Sequence, residues 1–282
     1  MSSQGTFPAA ENAEPKLARA QQFHHLSLIV LAASVWGSTL LFGLYILAYY
    51  ALPLFGGDLN AWNETLNNLY SENAQLATSG IGAHFIAGGV ILVMGCVQLL
   101  GSVRRALPRL HRWLGRAYVS AALATAVGGL IFVVSKGTIG GWVMDIGFGL
   151  YGSLMLVCAV MTIKLARAQD FQRHRAWALR LFALAIGSWL YRLEYGFWHL
   201  FTGNIGHTES FNGWFDYIMD FFFFIPNLLV VELIIRSSKD AAKPLLVWLS
   251  VATLWVATGF IALGTYAFTS LYWGPAILAA LP

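Results

Sequence analysis

Seven long apolar stretches dominate the sequence, and each is long enough to cross a lipid bilayer as a helix. A helix needs about 20 apolar residues to span the hydrocarbon core. A transmembrane β-barrel would instead need short strands of alternating polarity, whereas these stretches are continuous. We therefore predict an all-α integral membrane protein, a seven-helix bundle whose spans lie at residues 26–52, 80–103, 114–135, 142–166, 177–201, 214–235 and 245–270.

The amino-acid composition excludes the main alternatives to a membrane protein. Charged residues make up 11% of the chain and hydrophobic residues 58%. Soluble domains carry about 25% charged residues, so this chain has too few charges to cover the surface of a soluble enzyme. A disordered chain would need low hydrophobicity and high charge, which this sequence does not have.

The loops between the stretches differ sharply in charge. Of the 17 Lys and Arg residues, 15 fall in the tail or in loops on one side of the bundle, and Lys136 lies in a loop on the other. Positively charged loops stay in the cytoplasm, so we expect an inner-membrane protein with its N-terminus inside and its C-terminus outside. The chain then divides into a cytoplasmic polar tail (1–25), a membrane domain (26–270, core 80–201) and an outer segment (271–282).

The basic residues of the cytoplasmic loops favour lipid as their partner. Clusters of arginine at a membrane surface bind anionic headgroups, whereas nucleic-acid binding needs a basic face on a soluble surface. We expect headgroup contacts, and no nucleic acid, at the arginines that include Arg112, Arg116, Arg175 and Arg180.

A short pattern recurs in two of these loops. Arg104, His111 and Arg112 have counterparts 63 residues later at Arg167, His174 and Arg175. Each copy joins a helix running inward to one running outward. The pattern favours a parallel repeat of two helical hairpins, spans two and three followed by spans four and five.

The same loops carry a family resemblance over about residues 80–200. The first string is His84 before a glycine-rich span, then Gln98, then the run Arg109-x-His-Arg-Trp-Leu-Gly-Arg-x-Tyr118. The second string is Asp170-Phe-x2-His-Arg-x-Trp-x2-Arg180. Together they resemble the predicted bacterial membrane proteins called domain of unknown function 2306, although Ala178 stands where family members usually have Met. The resemblance implies a multipass bacterial membrane protein and supplies no activity.

Ionisable side chains within the spans are costly, and most of them here belong to the outer half: His84, Asp145, Arg192, Glu194, His199, Asp216 and Asp220. Arg192, Tyr195 and His199 follow helical spacing and share one face. Asp216 and Asp220 repel each other at i, i+4 unless a cation lies between them, and Arg192 is the expected counter-ion. We also expect Pro226 to bend the sixth span.

Two interpretations of these polar groups stay open. One is an ion-pair network that locks the helices together. The other is a pocket opening outward that holds haem b, a metal ion, a quinone headgroup or a small substrate. The pocket would use His84, His199, Arg192 and Tyr195 for a cofactor, or His84, His199, Asp216 and Asp220 as metal ligands.

The remaining histidines are weaker candidates. His111 and His174 at the cytoplasmic interface are either a second haem-ligand pair or, as we favour, part of the basic belt. His24 and His25, at the junction of the tail and the first span, are expected to be solvated. His207 lies in an outer loop, and nothing in the sequence supports a role for it as a mobile ligand.

These features favour a redox or cofactor-binding membrane protein. A proton-coupled small-molecule transporter is the first alternative, because buried ionisable groups and a proline-bent helix are its usual parts. The second alternative is an accessory or assembly subunit that uses its loops to contact other membrane proteins. The sequence does not decide whether the chain is an enzyme.

Overall fold

The computed structural model describes residues 13–64, 69–239 and 242–279, and helices are the regular secondary structure in that part of the chain. The longer helices are α1 (Ala13–Ile46), α3 (Gln75–Leu99), α5 (Pro108–Lys136), α6 (Trp142–Arg167), α7 (Phe171–Ala185), α8 (Gly187–Thr202), α9 (Trp214–Phe222), α10 (Ile225–Ser237) and α11 (Pro244–Phe268). The short ones are α2 (Leu52–Gly56), α4 (Gly101–Ala106) and α12 (Gly274–Ala279). The all-α prediction is confirmed for the described residues.

Within the described residues, six helical segments are long and apolar enough to cross a membrane, one fewer than the sequence predicted. The exception is the predicted fifth span, 177–201, which is divided between α7 and α8 at Ile186. Neither α7, with 15 residues, nor α8, with 16, has the roughly 20 residues that a single spanning helix needs. The predicted sixth span is also divided, between α9 and α10, but Trp214–Ser237 still counts as one of the six segments.

A tyrosine from another helix occupies the break between α7 and α8. The Tyr151 hydroxyl, on α6, donates to the carbonyl oxygen of Leu184 at 2.6 Å and also hydrogen-bonds the backbone of Ser188. In an unbroken helix those two backbone groups would pair with each other. A Cβ on Gly187 would lie 3.2 Å from the Tyr151 ring, so glycine leaves room for the insertion. A side chain inserted into the backbone ladder is a known cause of helix breaks.

The helix is interrupted next to Pro226, where the sequence predicted a bend. The chain leaves α9 at Phe222 and begins α10 at Ile225, with the proline in the first turn of α10. Proline lacks the N–H that would continue the ladder. The Asn227 side chain donates instead to the carbonyl oxygen of Phe223, at 2.6 Å, and this bond satisfies part of the interrupted backbone.

Close helix contacts hold the outer halves of α3 and α5 together. A Cβ on Gly80 would meet the carbonyl oxygen of Gly128, and one on Gly128 would meet that of Gly80. Such contacts are typical of membrane helices, which pack through small residues. The parallel repeat is not confirmed, because α5 is continuous over 29 residues whereas its counterpart is divided.

The first helix begins earlier than the apolar pattern indicated. α1 starts at Ala13, inside the segment expected to be a polar tail. His24 is buried, and its Nε2 lies 3.0 Å from the hydroxyls of both Ser237 and Ser250. The expectation that His24 is solvated was therefore wrong, because the ring joins α1 to α10 and α11.

Candidate functional site

A cavity of about 1090 Å³ lies at the end of the bundle opposite the arginine-rich loops. Its walls come from α3, α5, α6, α8 and the end of α11, and loop residues such as Thr138 and Asn204 line its outer side. Pockets for drug-sized ligands measure about 300–1,000 Å³. The cavity is therefore large enough for a small molecule with a sizeable apolar body.

Four residues that the sequence grouped as a cofactor site line this one cavity. They are His84 from α3 and Arg192, Tyr195 and His199 from α8. The α8 residues share a helix face, as their spacing predicts. The close packing of α3 against α5 brings His84 to the opposite side of the same space.

His84 is held by a bond between helices. Its Nδ1 lies 2.8 Å from the carbonyl oxygen of Thr125 on α5, and because a carbonyl only accepts, Nδ1 carries the proton. A Cβ on Gly129 would lie 2.9 Å from this nitrogen, so the glycine makes room for the ring. Nε2 is left as the nitrogen that can accept a proton or bind a ligand.

Arg192 does not pair with the buried acids. Its Nη1 donates to the carbonyl oxygen of Ser188 at 2.9 Å, and its Cζ lies 5.2 Å from the centre of the Phe42 ring on α1. Among the described residues no carboxylate forms an ion pair with it. The predicted pairing of Arg192 with Asp216 and Asp220 was wrong, because the guanidinium points to α1 and the two acids face other elements.

Asp216 is fully buried and already holds four hydrogen bonds. Oδ1 accepts from the Tyr195 hydroxyl at 2.8 Å and from His207 Nδ1 at 2.7 Å. Oδ2 accepts from the backbone N–H groups of Thr208 at 3.1 Å and Gly213 at 2.8 Å. A carboxylate offers about four acceptor positions, so Asp216 fastens the 203–213 loop to α9 and has no position left for a metal.

Asp220 is equally buried, but neither oxygen has a hydrogen-bond partner among the described residues. Its backbone packs directly against Gly147 of α6. Glu194 likewise has one buried oxygen without a partner in the described chain. Asp145 differs, because its Oδ1 accepts from the Thr138 N–H at 2.7 Å and holds the loop before α6. None of these acids lines the cavity.

The expected metal centre is not assembled. Within residues 13–64, 69–239 and 242–279, no group of three or more His, Cys, Asp or Glu side chains could hold a metal ion. The set His84, His199, Asp216 and Asp220 fails for a physical reason. The two histidines line the cavity, whereas the two carboxylates lie behind its wall.

Aromatic and cationic residues define the cavity chemistry. Its aromatic side chains include Tyr50, Phe148, Tyr191 and Phe268, and its basic side chains include Arg192 and Lys136. No carboxylate is among the lining residues in the described chain. Two π-helical turns, Leu47–Ala51 and Thr269–Trp273, also contribute to the wall. Such turns are rare and occur frequently at functional sites.

The opposite end of the bundle carries the remaining candidates. His174 Nδ1 lies 3.0 Å from the carbonyl oxygen of Thr162, whereas His111 Nδ1 is buried without a partner in the described chain. Arg180 forms an ion pair with Glu232 at 2.5 Å and lies over Trp177, so its charge is already neutralised. Arg112, Arg116 and Arg175 are exposed.

Comparison with known proteins agrees with the fold. A family model described as a predicted membrane protein, DUF2306, matches residues 81–235, which is more than half of the chain. The chain belongs to this family, as the sequence resemblance indicated. No curated protein and no solved structure matches it. The matched segment begins in α3 and ends in α10, so it contains most of the cavity wall.

Sequence reasoning missed two contributors to the site. His207 had no role supported by the sequence, but its bond to buried Asp216 fixes it at the cavity wall. Lys136 was used only as an exception to the charge rule, yet it lines the cavity. The available signal was that Lys136 is an isolated lysine in a predicted loop on the side opposite the arginine-rich loops.

Proposed function

We propose that the protein crosses the bacterial inner membrane seven times, with α7 and α8 together forming the fifth crossing. The two helices and Ile186 extend over about 48 Å at 1.5 Å per residue, which exceeds the roughly 30 Å hydrocarbon core. An odd number of crossings puts the two termini on opposite sides, the N-terminus in the cytoplasm and the C-terminus outside in the orientation that we propose. The loops that carry most of the lysines and arginines support this orientation.

We further propose that the outer cavity binds an amphipathic molecule with an acidic headgroup. The observation that carries this proposal is Arg192, which lines the cavity without a carboxylate partner in the described chain. Charged groups within a membrane normally pair with an opposite charge. An anionic ligand would supply the missing counter-charge.

The donors of Arg192 favour a planar or tetrahedral oxyanion. A guanidinium presents five N–H groups in a fork that matches carboxylate and phosphate, and one bond to Ser188 leaves most of them for a ligand. Lys136 lines the same space and adds positive charge. The cation–π contact with Phe42 holds the guanidinium in place.

The rest of the wall suits the apolar body of such a molecule. Ligand sites are mostly apolar with a few placed polar groups, and this cavity combines many aromatic rings with few hydrogen-bonding side chains. His84 Nε2 and the His199 ring stand among them as polar contacts. A fatty acid, an acidic isoprenoid or a lipid with a small anionic head has this combination of properties.

A fluorescent fatty acid and its neutral methyl ester test the proposal. Detergent-purified protein is titrated with dansyl-undecanoic acid and with the ester. We expect the acid to bind at least about tenfold more tightly, the value of one charge-assisted hydrogen bond. Arg192→Gln should abolish this preference, while Arg173→Gln, at the opposite end and exposed, should keep it. Equal binding of acid and ester by the unmodified protein would contradict the proposal.

Haem b is a second candidate for the same cavity. His84 and His199 both line it, and a ligating histidine normally donates its other ring nitrogen to a carbonyl or carboxylate. His84 makes such a bond to Thr125. When bound, haem would supply one-electron redox chemistry. A Soret band lost in His84→Ala would support this candidate, and protein that stays colourless when expressed with haem would exclude it.

A further inference from the structure

A second cluster of polar side chains lies at the end of the bundle opposite the cavity. It contains Gln98 near the end of α3 and His111 in the first turn of α5. Gln98 Nε2 and His111 Nδ1 are both buried and have no hydrogen-bond partner in the described chain. Buried polar atoms of this kind are rare, and each calls for an unseen partner.

The two side chains are brought together by the packing of α3 on α5. Gln98 Oε1 lies 3.2 Å from the position that a Cβ on Gly115 would take. Gly115 follows His111 by one helical turn and therefore shares its face. The glycine lets the Gln98 amide lie close against α5, on the side that carries His111.

Two arginines and a second histidine act electrostatically on His111. Arg104, Arg112 and His174 are the groups whose electrostatic field reaches it, and no described acid is among them. Arg104 and Arg112 are exposed, and neither forms an ion pair in the described chain. His174 is oriented by its bond to the Thr162 carbonyl.

We propose that Gln98, His111, His174, Arg104 and Arg112 form a binding site for a phosphate group. The cluster offers hydrogen-bond donors and positive charge, which is the combination that phosphate oxygens require. Its place at the membrane surface allows two sources, the headgroup of an acidic phospholipid or free inorganic phosphate. The site is separate from the outer cavity and does not depend on the ligand proposed there.

Thermal unfolding of the full-length protein in a neutral detergent tests the site. The probes are dioleoyl phosphatidic acid, inorganic phosphate and dioleoylglycerol, which has the same chains without phosphate. We expect at least one phosphate-bearing probe to raise the Tm in a saturable way and dioleoylglycerol not to. Stabilisation by phosphatidic acid alone would identify a lipid headgroup, and stabilisation by inorganic phosphate alone would identify a free anion. No difference from dioleoylglycerol would overturn the proposal.

Two double variants that remove the same charge test whether binding needs these particular arginines or only a positive surface. Arg104→Gln with Arg112→Gln should weaken binding of the phosphate probe about tenfold to hundredfold. Arg105→Gln with Arg109→Gln removes the same charge from exposed neighbours and should leave the affinity within about threefold. Equal losses in both pairs would overturn the proposal.

A further variant tests the buried part of the cluster. Gln98→Leu keeps the side-chain volume, removes the amide donor and should weaken binding about tenfold. If this variant does not elute as folded protein, the exposed arginine pairs still decide the question.

Discussion

His207 Nδ1 lies 2.7 Å from Asp216 Oδ1, in a region where the carboxylate is fully buried and the imidazole is largely covered. The bond joins the loop after α8 to the first turn of α9. Tyr195 and two backbone N–H groups complete the set of donors on the same carboxylate. One acid therefore holds the outer loop, the start of α9 and a tyrosine of the cavity wall.

Asp216→Ala should be strongly destabilising. It leaves four donors without their acceptor, and each hydrogen bond to a charged group is worth about 1.5–3 kcal/mol. We expect a loss of about 4 kcal/mol or more in the free energy of unfolding, measured by thermal unfolding in detergent. The matched control is Asp58→Ala, an exposed acid on the same side, which should change stability by less than about 0.5 kcal/mol. A similar small effect for both variants would show that the Asp216 bonds carry no net energy.

Asp220→Asn, unlike the Asp216 variant, should not lower the free energy of unfolding. Asp220 is as buried as Asp216, but its oxygens have no partner in the described chain, so the native carboxyl bears a desolvation cost without compensation. Removing the ionisable group should leave stability unchanged or raise it by about 1 kcal/mol. The free energies of unfolding of Asp220→Asn and Asp216→Asn are compared by thermal unfolding in detergent. A loss of several kcal/mol in Asp220→Asn would show that this carboxylate has a cationic partner.

Tyr151→Phe should loosen the joint between α7 and α8. The change removes the hydroxyl that bonds Leu184 and Ser188, and a buried carbonyl without a donor costs about 1–3 kcal/mol. Amide hydrogen exchange should become faster at residues 186–190 and stay unchanged in α5. Tyr217→Phe, an exposed tyrosine on α9, serves as the control. If the exchange rates near Ile186 do not change, the hydroxyl does not maintain the joint.

Gly196→Ala should reduce the cavity. A Cβ at this position would overlap the ring of Phe268, which lines the cavity, so the ring must move and the site becomes overpacked at a cost of about 1–3 kcal/mol. We expect weaker binding of the dansylated acid, measured by fluorescence titration. The double variant Gly196→Ala, Phe268→Ala should regain binding. Gly149→Ala, where an added Cβ meets nothing within 4 Å, should bind as the unmodified protein does.

The membrane character of the chain follows directly from its sequence, because a hydrophobic run of spanning length has one stable arrangement in lipid. The grouping of Arg192, Tyr195 and His199 could also be predicted, since helical spacing fixes which residues share a face. The depth of His84 in its helix placed it at the same level.

Relations between distant segments could not be predicted in this way. Arg192 faces Phe42 and not Asp216. The rotation of one helix relative to another depends on packing between them, and helical spacing within one helix does not reveal it. The break at Ile186 is engaged by Tyr151, which lies 33 residues before the Leu184 carbonyl that it bonds. The sequence around His24 gives no indication of its two serine partners, which lie in α10 and α11.

The division at Ile186 makes two short helices, α7 and α8, of what the sequence predicted to be one long helix. The helix α8 carries Arg192 and Tyr195 at the cavity, and α7 carries His174 near the opposite end of the bundle. A tilt of α7 is passed on to α8 only if a contact connects the two helices across the break. The hydroxyl of Tyr151 touches the backbone on both sides of that joint, so one side chain of α6 links α7 to α8.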